Sequence, residues 1–398
     1  IKADPAGAFI GQVFKVTTDP KSNIKFSVVR ILSGTLKSDT NIQANDDRRG
    51  QRPGTLQKLM GAEHSDIDAG IAGDIVALAK LDLRIGDVLH LGTPGAIALP
   101  KFPIPMFSLA IEPKSRGDVE KVMTVLHKFT DEDPCLKTDR DAATSELLIR
   151  GVGDQHLRSV LARMAKHFKL EVETKAPKIP YLETIVGRAE NVEYTHKKQS
   201  GGSGQFAKVY ITVEPNERGA GYEFIDDIFG GSIDQQFRPS VDKGVQQQMA
   251  QGIIAGYPVV DIKVHLVDGK THPVDSKDIA FQIAGRGALK KAFEIAKPVL
   301  LEPIVNIEVV APTSNVGDLQ GDIASRRGRP LGQDMLPGGM AVIRAQVPLS
   351  EVSDYSSRLS SITAGQGSYS MELSHYEQVP PNVQQQIIEQ ARKDKEEE

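Results

Sequence analysis

With a single cysteine, the 398-residue sequence excludes an intramolecular disulfide framework, and Cys135 reads as a small buried hydrophobe suited to a reducing cytosol. No run approaches the roughly 18 uninterrupted apolar residues of a membrane span. The first residues do not resemble a signal or transit peptide. There is no Gly-x-x-x-x-Gly-Lys-Ser/Thr loop to cradle a nucleoside triphosphate. Cysteine pairs and His-x-x-x-His spacing, the common zinc signals, are missing, as is a Gly-x-Ser-x-Gly nucleophile elbow. Gly151-Val152-Gly153, Gly230-Gly231 and Gly338-Gly339 complete no dinucleotide fingerprint and read as turns. Excess basic charge is lacking too: the net charge is −4, with the acidic surplus in residues 304–398. Any RNA binding must therefore rest on local basic clusters and not on the overall field.

The length and an ordinary globular composition, 39% hydrophobic and 25% charged, predict several domains. Residues 1–98 read as an all-β unit: Phe9–Thr17, Ile24–Leu32 and Asp74–Leu81 are β-rich runs between turns such as Ser33-Gly34 and Arg84–Asp87. Short strands without helical periodicity suggest a closed barrel. A Pro-rich linker leads into residues 104–176, whose order is βαββαβ, a ferredoxin-like module. Its helices carry Val119, Val122, Leu126 and Phe129, then Leu157, Val160, Leu161, Met164 and Phe168, at helical spacing. Residues 304–380 repeat that order. Between them, residues 177–303 hold strands at Lys208–Val213 and Val259–Val267, a helix near Pro239–Ala255, and a helix near Ser276–Ala296 broken by Gly285-Arg286-Gly287. The polar tail 381–398 reads as a frayed helix or a disordered segment. The opening Ile1-Lys2-Ala3, without Met, looks like a cut at a domain edge. The fold expected is multidomain α+β: a β-barrel, a ferredoxin-like domain, a ribosomal-protein-like α/β domain and a second ferredoxin-like domain.

No residues form a catalytic constellation. His272 with Asp275 would be a base and its orienter, but a lone pair without a nucleophile reads better as part of a tight loop after the turn signal Asp268-Gly269, with Ser276 capping the next helix. The loop Thr195–Lys208 holds Lys197, Lys198 and Lys208 and no acid. Its Gly and Ser residues permit close approach to a phosphate, and Gln199 and Gln205 suit polar edges; a solvated hairpin has the same composition. Arg286, Lys290 and Lys291 form a second basic cluster. Arg326 and Arg327 belong to a third, at a helix C-terminus that the helix dipole alone would favour.

Several blocks then resemble elongation factor G. They include His196-Lys197-Lys198-Gln199-Ser200-Gly201-Gly202, Val241-Asp242-Lys243-Gly244, Ala255-Gly256-Tyr257-Pro258, Pro298–Pro303, Ser325-Arg326-Arg327-Gly328 and Tyr369-Ser370-Met371-Glu372. Phe14–Pro20 and Leu32–Leu36 resemble that family's barrel, and Ile111–Lys114 its next domain. The resemblance implies a part of a GTP-driven ribosomal translocase acting on tRNA and mRNA, with GTP and Mg²⁺ held by an upstream domain of the same protein. It implies a cytoplasmic monomer, with no activity in this chain alone. Residues 177–303 would form an elongated domain whose tip enters the decoding centre. Gln199, Ser200, Gly201, Gly202, Ser203, Gly204, Gln205, Lys270, His272 and Asp275 would lie at that tip. Lys197, Lys198, Lys208, Arg326 and Arg327 would contact rRNA. Ser203 stands where the family usually has Arg, Phe206-Ala207 where it has Tyr-Gly, and Gly365-Gln366 where it has Gly-Arg. These departures point to a divergent paralog. They leave a second reading, a non-translocating ribosome-binding factor in recycling, regulation or ribosome protection. A metabolic enzyme on ferredoxin-like modules is the third reading, and it has no catalytic residues to support it.

Overall fold

The computed structural model describes residues 1–19, 22–47, 49–61, 63–92, 97–141, 144–198 and 204–397, with backbone alone at 116 and 394–397. The chain is multidomain α+β and divides into two compact units, Ile1–Pro177 with Ser353–Ser370, and Lys178–Val352 with Met371–Glu398.

The first unit opens with strands β1 (Ile10–Thr18), β2 (Lys25–Ser33), β3 (Thr35–Lys37), β4 (Gln43–Ala44), β5 (Leu56–Met60), β6 (Glu63–Ile67), β7 (Ala69–Ile71), β8 (Ile75–Ala79) and β9 (Val88–His90). Seven of them form one sheet, ordered β4-β9-β1-β2-β8-β5-β6, and β3 pairs with β7. The closed barrel expected from the sequence is thus a sheet path ending at β4 and β6, plus a two-stranded ribbon. Both contribute to one core, with Leu36 of β3 packed among Val13, Val29, Ile31, Leu56 and Leu78. There follow β10 (Phe107–Pro113), α1 (Val119–Glu132), β11 (Lys137–Arg140), β12 (Leu147–Gly151), α2 (Asp154–Phe168) and β13 (Val172–Lys175). The sheet order β11-β12-β10-β13 is that of a split βαβ unit. Of the periodic residues Val119 is exposed, and the others build the core: Val122, Leu126, Phe129, Leu157, Val160 and Met164 meet Ile111 and Ile149, with Leu161 and Phe168 packed against them. Cys135 is half-buried, and burial followed by the nearby Asp133 charge pushes its thiol up.

The second unit contains β14 (Leu182–Ile185), β15 (Ala189–Lys198), β16 (Gln205–Pro215), β17 (Tyr222–Asp226), α3 (Arg238–Gln251), β18 (Ile262–Lys270) and α4 (Asp278–Ile295). It continues with β19 (Pro298–Pro312), α5 (Val316–Ser325), β20 (Arg329–Leu336) and β21 (Met340–Pro348). After α6 (Tyr355–Thr363) of the first unit come β22 (Ser368–Gln378) and α7 (Pro381–Glu397). Strands β15-β16-β18-β17 make one sheet. Its inner residues Ala207, Val209, Ile211 and Val213 alternate as a half-buried strand should, and pack on Phe281, Ala284, Ala288 and Leu289 of α4.

Helix α4 is continuous, so the expected break at Gly285-Arg286-Gly287 does not occur. These glycines permit close approach instead. A Cβ on Gly285 would stand 2.5 Å from the Val241 carbonyl oxygen of α3, and one on Gly244 would stand 2.1 Å from the Gln282 oxygen. Likewise Asp268-Gly269 is no turn: β18 runs through it, with an irregularity opposite Tyr210/Ile211. A Cβ on Gly269 would lie 2.4 Å from the Lys208 oxygen.

Strand order β20-β21-β19 with β22 on the far side of β19 is again that of a βαββαβ unit. The sequence reading missed β20, an edge strand exposed along its whole length and irregular at Pro330/Gly332, because neither alternation nor a clean apolar run marks it. The tail is an ordered helix: Val383, Ile387, Ile388 and Ala391 of α7 pack against Tyr181, Ala255, Leu300 and Val379.

Candidate nucleic-acid interface

The far end of the β15-β16-β18 sheet brings Gly204 and Gln205 together with Lys270, His272 and Asp275, five of the residues that the sequence assigned to a tip. Strands β15 and β16 pair up to Lys197 opposite Phe206 and Lys198 opposite Gln205. Gln199, Ser200, Gly201, Gly202 and Ser203 lie outside the described residues. Gly204 and Gln205 are described. The Gly204 N–H donates to Asp275 Oδ1 at 3.0 Å, and His196 Nε2 lies 3.0 Å from Gln205 Oε1.

Asp275 joins the end of this strand pair to the loop after β18. Its backbone carbonyl also accepts the Phe206 N–H at 2.9 Å. Ser276 completes the clamp: its hydroxyl donates to the Phe206 carbonyl at 2.9 Å and accepts the His272 N–H at 2.8 Å. Ser276 is therefore a loop fastener; the N-cap position of α4 belongs to Lys277, without a side-chain cap bond. His272 Nδ1 accepts from the Val274 and Asp275 N–H groups at 3.3 and 3.2 Å, which places its ring proton on Nε2. The Asp275 carboxylate is 3.6 Å from Nδ1, too far for a base–orienter bond. The half-exposed ring tilts against Phe206, 6.1 Å between centroids. Phe206 and Ser276 are the contributors that sequence reasoning missed; only their juxtaposition in three dimensions reveals them.

The cations divide into two groups. Lys197, Lys198 and Lys270 are exposed, and none has a carboxylate partner among the described residues. Lys208 does. Glu193 on β15 holds its ammonium at 2.9 Å, and the Tyr210 ring lies 5.0 Å away. Bonds to Tyr210 and Glu193 raise the Lys208 pKa, and the bond to Lys208 lowers that of Glu193. The expectation of an acid-free cluster fails here, because Glu193 lies just before the loop in sequence but beside Lys208 across the strands. Lys208 also faces Lys270 directly, an unfavourable pairing that Glu193 offsets.

Arg326 and Arg327, expected at rRNA, are likewise engaged within the fold. Arg326 donates to Asp322 Oδ2 at 3.0 Å and to the Glu351 carbonyl. Arg327, left-handed at φ 58°, forks onto the buried Glu302 at 2.6 and 2.9 Å and reaches Glu351 at 2.9 Å. The Glu302 bonds raise its pKa further. In the second basic cluster Arg286 bonds Gln251 at 2.8 Å and Lys291 the Glu193 carbonyl at 3.2 Å. Among the described residues no group of His, Cys, Asp and Glu is placed to hold a metal ion, and no helix is long and apolar enough to cross a membrane.

Comparison with known proteins gives consistent matches along the chain. Residues 8–92 match the family model for elongation factor G domain 2, residues 102–176 domain III, residues 177–297 domain IV, and residues 299–387 the elongation factor G C-terminus. An elongation factor G-like protein of Thermotoga maritima is 42% identical over 400 residues, covering 100% of this chain and 58% of that protein. A crystal structure of a Thermus thermophilus protein superposes with a TM-score of 0.80 at 36% identity, over 97% of this chain and 58% of the other. The chain thus spans somewhat over half the length of these relatives. Four family regions matched in order, with a relative 42% identical along the whole chain, establish that the chain belongs to the elongation factor G family.

Proposed function

We propose that this chain is the ribosome-binding part of a cytoplasmic, monomeric translation elongation factor that promotes GTP-dependent movement of tRNA and mRNA. One observation carries the reading: Asp275 and Ser276 fasten the end of the β15-β16 pair to the loop after β18, at the end of the sheet that carries the half-exposed His272 and the cations Lys197, Lys198 and Lys270, which have no carboxylate partner among the described residues. Such an end suits a crowded RNA groove, where small residues admit close approach and a few cations meet phosphates. It performs no bond-making; occupancy of the groove shifts a conformational equilibrium of the ribosome. The GTP and Mg²⁺ that drive the cycle would bind outside these 398 residues.

The test is a toeprint of mRNA movement on pre-translocation ribosomes, using the full-length natural protein with GTP. A one-codon shift that disappears in His272→Ala supports the reading. GTP hydrolysis and ribosome binding without movement would sink it. That outcome would favour the second reading, a factor that docks without translocating, which the engagement of Lys208, Arg326 and Arg327 within the fold supports.

A further inference from the structure

The all-β part of the first unit carries a cavity of about 470 Å³ that the tip-based reading does not use. Its size falls within the range of small-molecule sites. Its lining is chemically divided. Phe26 and Leu81 supply an apolar surface, with the His64 imidazole tilted against Phe26 at 5.8 Å between ring centroids. Arg52 and Lys80 stand at the exposed edge, and neither has a carboxylate partner among the described residues. Among the described residues no Asp or Glu lines the cavity. Gln57 lies in the wall; its Nε2 is committed to Asp66 at 2.8 Å, while its Oε1 is buried without a donor. That oxygen has almost no accessible area and is closed to a ligand in this conformation.

An aromatic and aliphatic surface beside two unopposed cations fits one ligand chemistry. We infer that this cavity binds a nucleotide, its base against His64, Phe26 and Leu81 and its phosphate at Arg52 and Lys80. The nucleotide can be free or part of a single RNA strand, since both offer the same base and phosphate. The site is separate from the tip, and its test does not depend on translocation.

The experiment titrates the whole chain with fluorescently labelled adenosine 5′-monophosphate, read by anisotropy, with unlabelled nucleotide, inorganic phosphate and a short single-stranded RNA as competitors. Saturable binding is expected, weakened about tenfold in Arg52→Gln plus Lys80→Asn, the loss of charge-assisted bonds to one phosphate. Asparagine is chosen at 80 because Lys80 sits at φ 62°, which it tolerates. His64→Ala should weaken the nucleotide and leave competition by phosphate unchanged. Stronger competition by the oligonucleotide than by the mononucleotide identifies RNA as the source; equal competition identifies the free nucleotide. No saturable binding by ~1 mM, where little more than 4 kcal/mol would be at stake, overturns the inference. So does binding that survives the Arg52/Lys80 change but disappears in Lys197→Ala plus Lys198→Ala.

Discussion

Replacement of Glu183 by glutamine should loosen the second unit far more than the loss of one charge suggests. The Glu183 carboxylate is fully buried on β14 and accepts five backbone N–H groups. Oε2 takes Ile253 and Ile254 at 2.6 and 2.9 Å; Oε1 takes Ala255, Gly256 and Tyr257 at 2.8, 2.8 and 3.1 Å. The segment after α3 is thereby wound around one side chain. Glutamine must turn its amide NH₂ toward one of these sets. The cheaper orientation points it at Ile253 and Ile254, leaving two buried N–H donors facing a donor. At about 1–3 kcal/mol for each orphaned group, and with partial relief from no longer burying a charge, the net loss comes to about 3–4 kcal/mol. The assay is urea unfolding of the whole chain, with hydrogen exchange of amides 253–257 followed by mass spectrometry to localise the effect. Exchange at these amides should quicken by two or more orders of magnitude, roughly the factor such an energy implies. A variant within about 0.5 kcal/mol of the parent, with protection of 253–257 intact, would refute the reasoning.

Glycine substitutions should have opposite signs in different helices. Gly244→Ala or Gly285→Ala sets a Cβ 2.1 or 2.5 Å from a facing carbonyl oxygen and should cost about 2 kcal/mol or more in urea unfolding. Gly317→Ala and Gly321→Ala in α5 meet nothing within 4 Å and should stabilise by about 0.5–1 kcal/mol. In ribosome-binding titrations, Lys197→Ala plus Lys198→Ala should flatten the log–log salt slope by about 1 to 2, whereas Lys208→Ala, already paired with Glu193, should change it by much less. Equal slopes for parent and double variant would count against phosphate contact. The tyrosines provide a pH test: burial raises the phenols of Tyr181, Tyr222 and Tyr369, the last to about 12, and the bond to Asp242 raises Tyr222 further. Because the folded values exceed the unfolded one, this stability is complete below pH ~10 and is lost as pH rises above it. Absorbance at alkaline pH should show these three of the eight tyrosines ionising late, and a single native midpoint near pH ~10 would contradict the burial argument.

Much of this molecule was legible in one dimension wherever the deciding interactions are local. The apolar spacing of α1 and α2 marks helices because a helix brings its third and fourth neighbours to one face, and those residues, the exposed Val119 excepted, lie in or against the core found. The blocks around His196, Gly244, Gly256 and Arg327 carried the family resemblance. Local signals misled where the tertiary surroundings outweighed them. Glycine at 285 and 269 read as a breaker and a turn, yet each is small because another backbone crosses closely, a demand set by elements distant in sequence. Strand β20 escaped notice because an exposed edge strand needs no apolar face.

Composition located the basic residues but not which of them remain free. Lys208 is neutralised by a strand neighbour fifteen residues earlier, and Arg327 by a buried carboxylate twenty-five residues away. Lys197, Lys198 and Lys270 have no such neighbour among the described residues. The sequence by itself marked most of the element types and carried the family resemblance, since periodicity, glycine and charge are properties of short segments. Only the tertiary structure decided which cations are unpaired, which loops are fastened together and where a cavity forms, because charge pairing and close packing depend on distance in space.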